Sequence, residues 1–156
     1  MRIARFSHDD TVSYAFVQKD EEDGKDYLVE LSGYPLGGAP VSPTGERFGV
    51  DDEGVRLLAP IIPSKIYGIA KNYEAHAQYM GEINGMTGVH APEEMVIFSK
   101  PSTSVIGPDD PIVFPDFSND MNFEPEVAVV IGRIAKNVSE EEAMSYVLGF
   151  TCTNDV

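Results

Sequence analysis

The sequence predicts an α+β protein that is mostly β, with a small β-rich N-terminal domain over residues 1–58 and a second unit over residues 59–156. Apolar and polar residues alternate in several short runs, as they do in strands that bury one face. Glycine and proline separate these runs and exclude long helices between them. Only two segments carry helical signals, and both lie in the second unit.

The N-terminal domain is predicted to begin with two strands around a turn. In MRIARFSHDDTVSYAFVQKD, apolar residues alternate with polar or small ones on both sides of HDD, which marks the turn. An acidic segment that contains Gly24 leads into a further strand at 27–31. The stretch SGYPLGGAPVSPTGERFG holds too much glycine and proline for a long helix. A short strand then precedes Pro60 and Pro63, which close the domain.

The second unit is predicted to start with a strand at 66–69 that turns helical near Tyr73. MVIFSKPSTSVIGPDDPIVFP predicts a strand, a turn and a second strand, and NFEPEVAVVIG contains a clear apolar strand. SEEEAMSYVLGF carries the strongest helix signal, because Ser139 and Glu142 have the spacing of a capping box and Gly149 ends the pattern. TCTNDV is predicted to begin another strand.

The composition is acidic, with 11 Lys and Arg residues against 26 Asp and Glu residues and a net charge of −15. Such a surface repels polyanions, which argues against nucleic acid and anionic membranes as partners. The single cysteine, Cys152, excludes an internal disulfide and favours a reducing compartment. The start MRIARFSHDD lacks the apolar segment of a signal peptide, and no apolar run is long enough to span a bilayer. We therefore expect a soluble, cytoplasmic protein.

Two glutamates, Glu124 and Glu126, directly precede the apolar run of the strand NFEPEVAVVIG. Side chains in a strand alternate between faces, so Glu124 and Glu126 point to the same side. Two such groups repel each other unless a positive charge lies between them or one of them holds a proton. A divalent cation such as Mg²⁺ or Mn²⁺ prefers these hard oxygen ligands. Pro125 removes an amide donor, which suits a strand edge or bulge.

Asp155 is a third candidate ligand. If the intervening helix acts as a crossover, the strands at 124–131 and 151–156 are parallel neighbours and the three acids meet at one end of a sheet. The alternative stays open, because a Glu-x-Glu pattern on one face of a strand is most often a solvated surface. The apolar strand that follows suggests burial, and buried acids need partners.

A histidine and a lysine complete the set of candidate residues. His76 lies in the helical segment NYEAHAQYM and is a candidate general base, with Glu82 the only acid shortly after it. Lys100 precedes Pro101 in the turn between two strands and is a candidate for holding a carboxylate or a carbonyl group. The alternatives are an ordinary surface histidine, which is the commoner case for this spacing, and a surface turn lysine.

Three stretches, in this order, resemble the fumarylacetoacetate hydrolase family: KIYGIAKNYEAHAQYMG, MVIFSKPSTSVIGPDDPIVFP and NFEPEVAVVIGRIAKNVSEEEAMSYVLGFTCTNDV. The resemblance covers residues 64–156, and residues 1–58 are similar to the small N-terminal domain that many bacterial members carry. It implies a mixed β-roll around a divalent metal, Mg²⁺ or Mn²⁺. Carried over to this sequence, the metal ligands are Glu124, Glu126 and Asp155.

The resemblance also implies an activity on a small-molecule 2-oxo acid. In the family, the metal chelates the 2-oxo acid end of the substrate and stabilises an enolate as a C–C bond breaks or a proton moves. Family reactions include hydrolysis of acylpyruvates, decarboxylation of oxaloacetate and isomerisation of hydroxymuconate-type diacids. His76 matches the histidine of the family's NYxxH segment, which activates water or shuttles a proton. Lys100 matches the lysine of its F-x-K-P turn, an expected substrate contact.

The sequence departs from the family pattern at two points. Members that hydrolyse C–C bonds often have a glutamate three residues after the histidine, where this chain has Tyr79, and Glu82 is the expected substitute one helical turn further on. This departure favours an isomerase or a decarboxylase over a hydrolase. Family chains also continue well past the ND strand, so we expect a C-terminally truncated piece of a protein that is a homodimer at full length. A partial β-roll exposes sheet edges and apolar surface, so we expect the isolated chain to fold poorly or to aggregate.

Three hypotheses follow from the sequence. The first is a metal-dependent enzyme on 2-oxo acids, whole or as one part of a split protein. The second is a catalytically incomplete fragment or a non-catalytic assembly module of the same family. The third disregards the resemblance and treats the chain as an acidic β-rich binding domain with solvated carboxylates.

Overall fold

The structure is a computed structural model that describes residues 1–156 and confirms a mostly β protein, with 37% of residues in strands and 13% in helices. Neither α-helix is long and apolar enough to cross a bilayer. The elements are β1 (Ile3–His8), β2 (Thr11–Lys19), β3 (Asp26–Leu31), β4 (Pro43–Gly49), β5 (Arg56–Leu58), β6 (Ile66–Ala70), α1 (Glu74–Ile83), β7 (Val96–Lys100), β8 (Glu124–Ile131), α2 (Glu140–Ala143) and β9 (Val147–Asp155), with 3₁₀ turns at Ser102–Ser104 and Met144–Tyr146.

The first five strands form one antiparallel sheet in the order β4-β3-β2-β1-β5. Its three fully buried side chains are Phe6, Ala15 and Leu28, which alternate with more exposed neighbours as the pattern predicts. The predicted strands before and after HDD and at 27–31 are confirmed. Sequence analysis missed β4, because its glycine and proline content masks a strand that pairs with β3 at the edge of the sheet.

Two separate antiparallel hairpins make up the rest of the chain. β6 pairs with β7, and α1 lies in the connection between them. The predicted strand at 66–69, the helix after Tyr73 and the strand that ends at Lys100 are all confirmed. The second strand predicted within MVIFSKPSTSVIGPDDPIVFP does not form, since residues 111–115 pair with no neighbour. Phe98 covers Gly68, where a Cβ atom would collide with the phenyl ring.

The expected parallel arrangement of the acid-bearing strands is wrong, because β8 and β9 are antiparallel. The helical signal at Ser139 yields only the four residues of α2 and one 3₁₀ turn, and the Ser139 side chain does not cap the helix. Gly149 lies inside β9 rather than at a helix end. The physical reason is pairing: residues from Val147 onward gain backbone hydrogen bonds and cross-strand contacts with β8, which outweigh a local helical preference.

Candidate functional site

The acidic residues lie at one end of the β8–β9 hairpin. Glu124 is the direct cross-strand partner of Asp155, and Glu126 follows two residues further along the same face. The side-chain amide oxygen of Asn154 accepts a hydrogen bond of 2.9 Å from the backbone N–H of Glu124, which fixes the ends of the two strands against each other. Glu126 and Asp155 are half-buried, whereas Glu124 is exposed. The antiparallel register therefore brings together the same three acids as the expected parallel one.

Lys100 connects the two hairpins. It is the last residue of β7, and its ammonium group forms an ion pair with Oδ1 of Asp155. The same Nζ atom donates a hydrogen bond of 2.9 Å to the main-chain oxygen of Val156. The predicted lysine therefore lies at the acidic site, and its ammonium is already engaged by the end of β9.

Tyr73 places the start of α1 against β8. Its hydroxyl oxygen accepts a hydrogen bond of 3.3 Å from the backbone N–H of Val127, the residue after Glu126. Tyr73 is the N-cap residue of α1, and His76 in the first turn of the helix lies close enough to Glu126 to act on its charge. His76 is exposed, as a group that exchanges protons with a substrate would have to be.

The charges at the site act on Glu126. Burial raises the pKa of the Glu126 carboxyl above its ordinary value, and the negative charges of Asp155 and Glu124 raise it further. Lys100 and His76 oppose this shift and lower the pKa. An added positive charge in the site would stabilise the ionised form of Glu126.

The donor set fits a hard divalent cation, because carboxylate oxygens on one strand face are the ligands that Mg²⁺ and Mn²⁺ prefer. Burial is the larger cause of the raised pKa of Glu126, but the charges are consistent with this preference, since Asp155 and Glu124 repel the Glu126 carboxylate. As placed, no three His, Cys, Asp or Glu side chains converge closely enough to hold an ion. The assignment of Glu124, Glu126 and Asp155 as metal ligands therefore stays a prediction.

Glu82 does not join His76. The two residues are six positions apart in α1, which places their side chains about 120° apart around the helix axis. Glu82 instead lines a separate cavity of about 280 Å³ with Gln78 and the loop that follows α1. Its role as substitute for the family's lid glutamate has no contact to support it, and Tyr79 is exposed on the same helix.

Sequence analysis missed the contacts of Glu74. The Glu74 carboxylate accepts hydrogen bonds from the backbone N–H of Ala91 at 2.8 Å and from the Gln78 side chain at 2.6 Å, and it lies 2.6 Å from Nδ1 of His90. The bond from Ala91 and the contact with His90 lower the pKa of this carboxyl. Glu74 thus ties the loop after α1 to the helix that carries His76, and no spacing in the sequence signals it.

Comparisons with known proteins match both parts of the chain. The family model described as fumarylacetoacetate (FAA) hydrolase C-terminal matches residues 65–156, and the model described as Rv2993c-like, N-terminal matches residues 1–60. Protein Rv2993c of Mycobacterium tuberculosis is 38% identical over 157 aligned residues, which cover 100% of this chain and 55% of the relative. Oxaloacetate tautomerase fahd2, mitochondrial, of Xenopus laevis is 42% identical over 103 residues, which cover 65% of this chain and 30% of the relative.

Among solved structures, 5-carboxymethyl-2-hydroxymuconate delta-isomerase from Mycobacterium smegmatis matches with a TM-score of 0.77 and 35% identity. The match covers 99% of this chain and 54% of the isomerase chain. The chain thus spans about half the length of the relatives that it matches over its whole extent.

Proposed function

Because the chain belongs to the fumarylacetoacetate hydrolase family, we propose that it supplies the divalent-cation site of an enzyme that acts on 2-oxo acids through an enolate. The observation that carries this proposal is the meeting of Glu124, Glu126 and Asp155 at one end of a single hairpin, beside Lys100 and His76. Solvated carboxylates of a simple binding domain would need neither an ion pair with a strand-end lysine nor a helix docked beside them.

The residues divide the chemistry between them. Glu124, Glu126 and Asp155 would hold Mg²⁺ or Mn²⁺, which when bound polarises the carbonyl of a 2-oxo acid and stabilises negative charge on the enolate oxygen. His76 is the group placed to take up or return a proton at the substrate carbon, since it is exposed beside the acids and carries an imidazole.

We favour proton transfer over hydrolysis as the reaction. Tyr79 stands where a hydrolytic family member often has a glutamate, and Glu82 lies away from His76 on another side of α1. Two similar proteins are named for such chemistry, one an oxaloacetate tautomerase and the other a hydroxymuconate isomerase. Substrates of this proposal are therefore small 2-oxo diacids that interconvert with their enols.

A second candidate is an assembly module that holds the site without turning over substrate. The observation that favours it is the exposure of one apolar face of the β8–β9 hairpin, including Val129 at 52% and Phe150 at 62%. Exposed apolar faces of this kind are typical of surfaces that another protein segment covers. Under this proposal, a second polypeptide or further sequence supplies the cover and completes the catalytic centre.

The test is a calorimetric Mn²⁺ titration of the chain, compared with Glu126→Gln. We expect one ion per chain, tighter binding in the presence of oxalate as a mimic of the enolate, and loss of binding in Glu126→Gln. Glu46→Gln in β4 removes the same charge from an exposed position in the N-terminal sheet and should bind as the wild type does. Equal binding by wild type and Glu126→Gln, or no binding by folded wild type, contradicts the proposal. Turnover of oxaloacetate enol then separates the enzyme from the assembly module.

A further inference from the structure

We propose that Lys100 regulates the acidic site by competing with the divalent cation for Asp155. The inference rests on the proposed function, because it assumes that Asp155 is one of the cation's ligands. It gives Lys100 a role toward the cation in addition to the substrate contact that the family resemblance implies. The ammonium sets how tightly the cation is held, and it supplies a positive charge next to the cation for an anionic group of the substrate.

The geometry carries the first part of the proposal. The Lys100 ammonium pairs with Oδ1 of Asp155, and both side chains are well shielded, with exposures of 29% and 17%. A carboxylate that holds an ammonium has one oxygen committed and its charge largely neutralised. Any cation that takes Asp155 as a ligand must therefore share it with Lys100 or displace Lys100 from it.

Charge gives the direction of the effect. An ammonium a few ångströms from a divalent cation repels it, and even the interaction expected at water-like screening changes an equilibrium constant by about tenfold. Partial burial of the pair reduces the screening and strengthens the repulsion. The other charged groups that face Asp155 are the carboxylates of Glu124 and Glu126 and, beyond them, His76. Lys100 is thus the one side chain paired with Asp155 that opposes a cation there.

A second hydrogen bond holds the Lys100 ammonium at the end of β9. This hydrogen bond of 2.9 Å to the main-chain oxygen of Val156 does not depend on the Asp155 carboxylate. When Asp155 turns to a cation, Lys100 keeps this contact and remains at the end of β9, no longer paired with a side-chain carboxylate. An anionic substrate group that approaches the cation then meets the ammonium. Binding is expected in a fixed order, with the cation first and the anion second.

The first test measures Mn²⁺ affinity by calorimetry for wild type and Lys100→Met. We expect Lys100→Met to bind Mn²⁺ about tenfold more tightly and to lose most of the gain that oxalate gives the wild type. Lys100→Arg keeps the positive charge and should bind nearly as the wild type does. Lys136→Met removes an equal charge from the exposed loop between β8 and β9 and serves as the matched control. Weaker or unchanged Mn²⁺ binding by Lys100→Met overturns the inference.

The second test measures how readily the Lys100 ammonium group reacts with an acetylating reagent. Brief acetylation followed by mass spectrometry reports how accessible each lysine is, with Mg²⁺ as the probe ion. We expect Mg²⁺ to speed acetylation of Lys100, to leave Lys136 unchanged and to have no effect on Lys100 in Glu126→Gln. A rate for Lys100 that does not rise with Mg²⁺ in a chain that binds the ion overturns the inference.

The outcomes separate the two proposals. If Glu126→Gln abolishes Mn²⁺ binding but Lys100→Met does not tighten it, the cation site stands and only the role of Lys100 fails. If Glu126→Gln binds as the wild type does, the proposed function fails, and the inference about Lys100 fails with it.

Discussion

Asp9 and Asp10 form the two-residue turn between β1 and β2, since His8 and Thr11 are the last paired residues of the two strands. Both have positive φ angles, 45° for Asp9 and 64° for Asp10. A turn with two positive φ values matches the right-handed twist of the strands but favours Asn and Gly over other residues. Asp9 suits the first position of such a turn, whereas the second position, where Asp10 lies, favours glycine.

Asp10→Gly is therefore expected to stabilise the N-terminal sheet, by roughly 0.5–1 kcal/mol. The substitution relieves the steric strain of a Cβ atom at positive φ, which outweighs the added freedom of glycine in the unfolded chain. The measurement is the midpoint of urea unfolding followed by circular dichroism. Asp51→Gly, in a turn where φ is not positive, serves as the control and should not stabilise. A lower midpoint for Asp10→Gly than for Asp51→Gly contradicts the prediction.

The positions and contacts of the site residues could be predicted from the sequence to different degrees. Glu124 and Glu126 can be assigned to one face because strand alternation is a local property. The pairing of Lys100 with Asp155 depends on the docking of two hairpins that are far apart in the chain, and no local pattern encodes it. The interaction of Glu74 with Ala91 likewise depends on the path of a loop. Strand alternation therefore predicts which residues share a face, whereas the partner that each side chain contacts depends on the tertiary structure.

At the scale of elements, two ion pairs join separate segments of the N-terminal sheet. The Arg2 guanidinium binds both oxygens of Asp26 at 2.7 Å, and Arg47 binds Asp20. Hydrogen bonds from Arg2 and Arg47 lower the pKa values of Asp26 and Asp20, respectively, below their ordinary value. Each pair joins segments that are distant along the chain, so each one supports the register of the sheet.

These shifts predict a pH dependence. A carboxyl whose folded-state pKa is lowered contributes stability above its ordinary pKa, near 3.9 for Asp, and this contribution is lost as the pH falls through the lower, folded-state value. The stability difference between wild type and Arg2→Gln should therefore be constant from pH 7 to about pH 5 and shrink below about pH 4. Urea unfolding at a series of pH values measures it.

Arg5→Gln removes an equal charge from β1 without breaking either ion pair and corrects for the general effect of net charge. A difference between wild type and Arg2→Gln that stays constant down to pH 2 would show that Asp26 gains nothing from Arg2.

Elements also show where sequence reasoning succeeds and where it fails. β8 is predicted because its apolar run is long and free of competing signals. The segment after Ser139 carries helix signals at its start and strand signals at Val147–Phe150. Its later residues form a strand because they pair with β8. The direction of β9 is fixed by its antiparallel pairing with β8, and the connection over 132–146 forms only the short helix α2 and one 3₁₀ turn. Such choices depend on pairing, which a single sequence pattern does not contain.

At the scale of the whole molecule, burial is uneven. Apart from two small residues of α1, Ala77 and Gly81, the buried residues all belong to the N-terminal sheet. One face of the β8–β9 hairpin is apolar and exposed: Val127, Val129, Ile131, Leu148 and Phe150 are between 45% and 62% accessible. The acids lie on the opposite face, so the site and the apolar face are separate surfaces.

The exposed face predicts that the chain associates with itself. Val129 and Phe150 are cross-strand partners at the centre of this face, so the double substitution Val129→Thr, Phe150→Thr keeps strand-forming residues and removes much of its apolar area. We expect the wild type to form oligomers or aggregates at micromolar concentration and the double variant to do so markedly less, by sedimentation velocity.

Val12→Thr, at an exposed apolar position in β2, is the matched control and should behave as the wild type does. A wild-type chain that sediments as one monomer and melts cooperatively contradicts both this prediction and the expectation that the isolated chain folds poorly.

The antiparallel β8–β9 hairpin also determines how the acidic end assembles during folding. Glu124 and Asn154, which bond at the strand ends, are only 30 residues apart. The entropy of closing a loop rises only with the logarithm of its length, and hairpins form in about 1–10 μs. A parallel pair would need its crossover ordered first. We therefore expect one local closure to bring the three acids together before the distant strand that carries Lys100 docks.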